Sequence, residues 1–441
     1  MNRRTTALSR GLAAAFLDGP WNLDGLVARG ADALGRRVRG LRRLASAVMQ
    51  RFPEAPTGQL GDLAAFVHGK AKLGAVRHIH HWHTPQPAMA VPLPAFKHLA
   101  LASLTCTAEL ATWLGVDPAN LVWFADEHRH LRRAAAPRLR HYYYAWIRKR
   151  SGAYRLLEAP RPRLKAIQRQ ILRGIIDLVP PHEATHGFRR HRSVLTNASL
   201  HTNRDVVLRI DLADFFAAVT EARVGAIFRS LGYPDTVART LAALCCTPTP
   251  IEVLAARPLR QTPTDNRERH TQRLLLAGSH LPQGGPSSPA LANLAAFRLD
   301  RRLVGLALKW DARYTRYADD LVFSGNRRLG SQATSFIGTV GAIASEEGFA
   351  VRFRKTRVMH RAVRQQIGGI VVNERPGLPR DELKQLEAIL YNCVRHGAAQ
   401  QNRAAHPNFR AHLAGRVSWA ECAGPAARAA RLRSLFEQIV W

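Results

Sequence analysis

Apolar side chains recur at helical spacing in two stretches of this chain and gather into short β-prone runs in two others. Leu164, Ile167, Ile171 and Ile175 share one helical face, with Lys165, Arg169 and Arg173 off it, and Pro180-Pro181 stop the helix. Leu383, Leu386, Ile389, Leu390 and Val394 repeat that spacing near the C-terminus, with Gly397 as a C-cap. Val206-Val207-Leu208-Arg209-Ile210-Asp211-Leu212 reads as a buried strand that ends in a carboxylate. Between Arg313 and Phe323, two β-prone runs flank Asp319-Asp320, which sets the acidic pair at the tip of a hairpin. Residues 29 to 51 carry Arg29, Arg36, Arg37, Arg39, Arg42, Arg43 and Arg51 among Leu and Val, the pattern of a basic amphipathic helix. An RNA-contacting face and a solvated helix face both fit it. The Thr/Pro/Arg-rich stretch from about 247 to 280 predicts a loop.

Charge narrows the partners. The 441 residues hold 65 Lys+Arg against 32 Asp+Glu, a formal net charge of +33 and a pI near 11.4, so a polyanion is the expected partner. No run of 18 apolar residues exists, so no membrane-spanning helix is expected, and the weak signal-like opening lacks a cleavage pattern. Five cysteines without Cys-x-x-Cys spacing imply a reduced, cytoplasmic protein without disulfides or structural zinc. His78, His80, His81 and His83 precede a Pro-rich stretch with no Cys or acid close in sequence, which favours an exposed linker over a metal site. Between Arg129 and Arg173 stand 14 Arg/Lys and one acid, Glu158, interleaved with Tyr142, Tyr143, Tyr144, Trp146 and Tyr154, a composition suited to single-stranded nucleic acid.

Two adjacent carboxylates repel each other and are costly unless a cation neutralises them. Asp211 and Asp319 on adjacent strands would make an all-oxygen site suited to Mg²⁺. Asp214, three residues along from Asp211, is expected on the opposite strand face.

Tyr317-Ala318-Asp319-Asp320 resembles the catalytic signature of reverse transcriptases, and other motifs of that family follow in order. Asp211 to Phe216 resembles the first palm motif, Leu281 to Pro289 the Pro-Gln-Gly motif, Lys355-Thr356-Arg357 the palm lysine segment and Gly368 to Asn373 the primer grip. Ile147 to Arg155, Gly187 to Val194 and Asn197-Ala198-Ser199-Leu200-His201 are similar to bacterial retron-type enzymes. Ile367-Gly368-Gly369 stands where retron enzymes commonly carry Val-Thr-Gly, and Ala217 where Pro often follows the aromatic pair.

The resemblance implies an α+β right-hand polymerase fold: a basic N-terminal extension (1–90), fingers (91–205), a palm with an antiparallel sheet (206–375) and a helical thumb (376–441). It implies Asp211, Asp319 and Asp320 as catalytic, with the Leu212 carbonyl completing the ligands of two Mg²⁺ ions, for which Mn²⁺ can substitute. Lys149, Arg155, Phe216, Gln283, Gly284 and Lys355 would serve the incoming nucleotide, and Arg148, Arg150, Lys165 and Arg169 the nucleic acid. Phe216 matches the aromatic that would collide with a ribose 2′-hydroxyl. The implied activity is RNA-directed DNA synthesis from deoxynucleoside triphosphates on a dedicated structured non-coding RNA that is both template and primer, giving an RNA–DNA product. Phage defence with an effector protein would be the wider setting. Two rivals are another bacterial lineage, group II intron-like or defence-associated, and a non-catalytic RNA-binding scaffold with the same fold.

Overall fold

Four helices, Arg3–Leu17, Leu23–Ala33, Leu41–Arg51 and Leu60–Lys70, enclose a core of their own built from Leu12, Phe16, Leu26, Leu34, Leu41, Leu44, Val48, Leu63 and Val67. The computed structural model describes residues 3–56, 60–70, 78–83, 89–90, 96–130, 137–149, 152–258 and 263–441. The basic stretch at 29–51 is two helices rather than the single one expected. Gly35, at φ +63, turns the chain so that Leu34 and Leu41 both reach the core. Asn22 starts the second helix by accepting from the Gly25 amide. The N-terminal extension is therefore a folded module.

Two units make up the chain: Met1–Val179 with Val219–Ser288, and Pro180–Ala218 with Pro289–Trp441. In the first, β1 (Tyr142–Arg148) and β2 (Tyr154–Pro160) form an antiparallel hairpin followed by the helix Pro162–Gly174. That helix buries Leu164, Ile167 and Ile171 as its spacing predicts. It also buries Gln168, whose amide donates to the Tyr142 hydroxyl and the Leu244 carbonyl. The helix Asp235–Cys245, buried along most of its length, packs against it. The stretch expected as a loop at 247–280 contains the helices Ile251–Ala255 and Pro263–Ala277, because prolines at helix starts begin helices as readily as they break them.

The second unit centres on β3 (Val206–Ala213). Its neighbours are β5 (Asp320–Gly325), which pairs with β4 (Arg313–Tyr317), and on the other side β6 (Ala350–Val351) and β7 (Arg357–His360), all antiparallel. Val206, Val207, Leu208, Ile210 and Leu212 are fully buried, each contributing about 1.5–3 kcal/mol by leaving water. The helix Phe297–Lys309 packs on β4 and the helix Ala333–Glu346 on β6. The small hairpin of β8 (Gln366–Ile367) and β9 (Ile370–Val371) leads to the helices Arg380–His396, Phe409–Ala423 and Ala426–Glu437 around Leu386, Leu390, Leu413, Val417 and Leu432. All five cysteines are free, and among the described residues no helix is long and apolar enough to cross a membrane.

Beneath the β4–β5 hairpin lies a fully buried ion pair. Arg316 donates from Nε to Asp300 Oδ1 at 2.8 Å and from Nη2 to Asp300 Oδ2 at 2.7 Å, and both side chains are 0% exposed. Tyr314 and Thr185 hydroxyls also donate to Asp300, and Arg316 reaches Asn293 and Thr185. Removing one partner strands a charge in a dry interior, which costs about 3–5 kcal/mol. Asp300→Ala should therefore lower unfolding free energy by about that much in urea titrations, while Asp300→Leu combined with Arg316→Met should lose less. Equal losses in the two variants would show that charge stranding is not the cost.

Candidate active site

The three signature carboxylates meet because β3 and β5 run side by side. Asp211 and Asp320 are register partners, and Asp319 stands in the turn just before β5. The Leu212 amide donates to the Asp319 carbonyl at 2.8 Å, locking the turn to the end of β3. Ala318, at φ +57, takes a left-handed conformation that strains a side chain with a Cβ. Two contacts hold it there. Arg316 Nη1 donates to the Ala318 carbonyl at 3.0 Å, and Gly187 packs so closely that a Cβ would lie 2.5 Å from the Ala318 nitrogen. Asn293 fixes Gly187 by donating to its carbonyl.

His201 braces the same hairpin from below. Its ring nitrogens pair with Thr315 on β4 and Ser324 on β5, both at 2.7 Å. Burial drives its pKa down to about 3, so it is a neutral, structural imidazole. This gives a physical role to the Asn-Ala-x-x-His element.

Burial raises the pKa of Asp319, and the like charges of Asp320 and Asp211 add to the rise. Burial also raises Asp320, opposed by Arg209, whose Nε donates to Asp320 Oδ1 at 3.1 Å. Asp211 faces two cations, Arg352 Nη1 at 3.3 Å and Lys355 Nζ at 3.2 Å. Asp214 does not turn to the far side as strand alternation suggested. The strand ends at Ala213, Asp214 takes φ +45, and its carboxylate shares Arg352 with Asp211, at 3.5 Å.

Among the described residues no three His, Cys, Asp or Glu side chains converge into an all-protein cage for a metal. Mg²⁺ does not require one, since it keeps several waters and takes one or two carboxylates together with substrate phosphates. Asp211, Asp319 and the Leu212 carbonyl are hard oxygen donors of that kind, and the burial and like charges that raise the Asp319 pKa would be offset by a cation.

Phe216 is half-buried, its ring 5.7 Å from Phe215 and 6.0 Å from Phe188. Phe215 is the core member of the pair, stacked on Phe349 and beneath Arg316. Lys355 also belongs to this unit. Lys149, Arg155, Gln283 and Gly284 belong to the other.

In that first unit, Lys149 closes the β1–β2 turn, its amide donating to Ala153 and its carbonyl accepting from Gly152. Arg155 is exposed on β2 and Arg148 on β1, Lys165 is half-buried and Arg169 exposed on the following helix. Arg150 lies outside the described residues. The Gln283 carbonyl accepts from the Glu158 amide at 3.0 Å, and Gly284 passes so near that a Cβ would sit 2.9 Å from the Glu158 oxygen. Glu158 is the one acid between Arg129 and Arg173, and its buried carboxylate joins Thr249 and His280. Burial works against a charge on His280, yet Glu158 raises its pKa.

Sequence reasoning did not single out Arg316, Asp300, Asn293, Gly187, Arg209 or Arg352. Arg209 and Arg316 each had a visible signal, a charge inside a run read as β-strand.

The family model described as reverse transcriptase (RNA-dependent DNA polymerase) matches residues 147–386. Retron Mx65 reverse transcriptase of Myxococcus xanthus is 39% identical over 310 residues, covering 67% of this chain and 65% of that one. Retron Mx162 reverse transcriptase of the same organism is 36% identical over 331 residues, 71% and 64% of the two chains. Retron Ec86 reverse transcriptase of Escherichia coli is 31% identical over 240 residues, 54% and 65% of the two. The matches thus span a little under two thirds of each relative's length. With a family match that covers more than half of the chain and contains Asp211, Asp319 and Asp320, this chain belongs to the reverse transcriptase family and to its α+β polymerase fold.

Proposed function

We propose that the chain is an RNA-directed DNA polymerase of retron type, copying a dedicated structured RNA into DNA from deoxynucleoside triphosphates. The observation that carries this is the register of Asp211 against Asp320, with Asp319 bonded through its carbonyl to Leu212. A scaffold gains nothing from three carboxylates whose burial and mutual repulsion raise two of their pKa values. Similarity to retron enzymes supports the structured RNA template, and phage defence with an effector protein is the setting we infer from it.

Asp211, Asp319 and the Leu212 carbonyl would hold the divalent ions, with Asp320 turned to Arg209 and orienting the site. When bound, such ions would supply activation of the attacking 3′-hydroxyl and stabilisation of the leaving pyrophosphate. Arg352 and Lys355 hold Asp211 in place, and Lys355, nearly half exposed, is available to a developing negative charge. Phe216 presents a ring edge whose bulk excludes a 2′-hydroxyl. For Lys149, Arg155, Gln283 and Gly284 we keep the nucleotide-binding role that the motifs imply, and for Arg148, Lys165 and Arg169 a phosphate-contacting one.

Asp319→Ala should abolish primer extension while leaving RNA binding nearly intact, because it removes stabilisation of the transition state but few template contacts. Extension above a few per cent of wild type, measured on one RNA template, would sink the assignment.

Phe216→Ala should narrow the preference for deoxyribonucleotides by one or more orders of magnitude, each tenfold step being about 1.4 kcal/mol. Single-nucleotide extension with dGTP and GTP reads this directly. An unchanged ratio in a folded, active variant would leave Phe216 a packing residue only.

A further inference from the structure

The seven arginines of residues 29–51 have different fates. Arg29 is committed to the fold, donating to the carbonyls of Ala15, Phe16 and Pro20 and so closing the end of the first helix. Arg51 lies over the Phe52 ring, and Arg42 reaches Asp24 at 3.2 Å. Arg36, Arg37, Arg39 and Arg43 are exposed, and among the described residues no carboxylate pairs with them. Four guanidiniums within eight residues repel one another, and a polyanion would relieve that.

Beside them, the segment 78–83 is pinned to the module at Ile79, His80, His81 and His83. Ile79 packs against the module's core, filling the space that a Cβ on Gly11 would need. The amides of His80 and His81 both donate to the Ala33 carbonyl, at 2.8 and 3.2 Å. The His80 ring lies against Gly35, next to Arg36. His81 pairs with Asp32 at 3.2 Å, and His83 bridges Asp32 and Asp18, each at 2.9 Å. The histidine segment is thus tied to the helices by two acids distant in sequence, which the expectation of a free linker did not foresee. Between these anchors Trp82 is 62% exposed. An indole fixed on both sides and left in water forgoes the burial that its size would otherwise provide.

We propose that this face of the N-terminal module binds single-stranded nucleic acid, with Trp82 stacking on an unpaired base and Arg36, Arg37, Arg39 and Arg43 taking the phosphates around it. An aromatic platform beside a cationic track is what such binding needs. A lipid surface fits less well. Among the described residues of the module, Leu60 is the one other large exposed apolar side chain, so no apolar face exists to insert.

The test is fluorescence anisotropy of the full-length protein with labelled 12-nucleotide single-stranded RNA and DNA, in the presence of excess unlabelled RNA–DNA hybrid. Trp82→Ala should weaken binding about tenfold and Trp82→Phe much less. Replacing the four arginines by Gln should reduce the slope of log affinity against log salt by about 3, since each phosphate contact contributes about 0.7. Asp319→Ala should bind like wild type, so that failure of the polymerase reading and failure of this one are separable. Circular dichroism of each variant checks that the module is folded. The RNA and DNA arms tell which strand is preferred. Wild-type affinity and salt slope in folded Trp82 and arginine variants, with either strand, would overturn the proposal. So would binding to anionic vesicles that depends on Trp82 while binding to the oligomers does not.

Discussion

A guanidinium buried with its carboxylate in a dry interior organises the unit that carries Asp211, Asp319 and Asp320. Arg316 alone touches Asp300, Asn293, Thr185 and the Ala318 carbonyl, so one side chain links the helix Phe297–Lys309, the segment before Gly187 and the acidic turn. Neither charge is affordable without the other. Together they let a left-handed alanine persist where isolated sterics would reject it. The turn is thereby placed by groups outside its own acidic pair. The Asp319 carbonyl shares in that placement, while its carboxylate stands among the like charges of Asp320 and Asp211.

The electrostatics follow from that division of labour. Asp211 has Arg352 and Lys355, Asp320 has Arg209, and Asp319 sits half-buried among like charges. Such a carboxylate costs stability when ionised, and the divalent cation we propose for it would offset that cost. Neutral His201, bridging β4 and β5, stiffens the hairpin without adding a charge to this balance.

Much of this was legible in the sequence because it rests on local pattern. The buried run Val206–Leu212, the hairpin around Asp319-Asp320 and the faces of Pro162–Gly174 and Arg380–His396 each announce themselves through side-chain period. Asp214 was misplaced because the alternation rule was carried one residue beyond the strand's end, into a left-handed turn. The Arg316 network was invisible because the side chains it binds lie 16 to 131 residues away in sequence, and only the fold brings them together. The same holds for His83 with Asp18 and Asp32. Proline and threonine at 247–280 read as loop, whereas Pro250 and Pro263 stand at helix starts.

Burial and the like charges of Asp320 and Asp211 leave Asp319 an under-compensated carboxylate, for which we propose a divalent ion as partner. Its folded pKa is raised, so the folded state favours its protonated form. Stability from this group is therefore full below the ordinary carboxylate range and is lost as pH rises through the raised value. Thermal unfolding of wild type and Asp319→Asn, with and without Mg²⁺, tests this most directly. Without Mg²⁺ at neutral pH the Asn variant should melt higher, with the gap closing as pH falls into the carboxylate range. Added Mg²⁺ should raise the melting temperature of wild type and leave the variant nearly unmoved. A variant that melts lower at neutral pH, or a wild type that Mg²⁺ does not stabilise, would contradict the account.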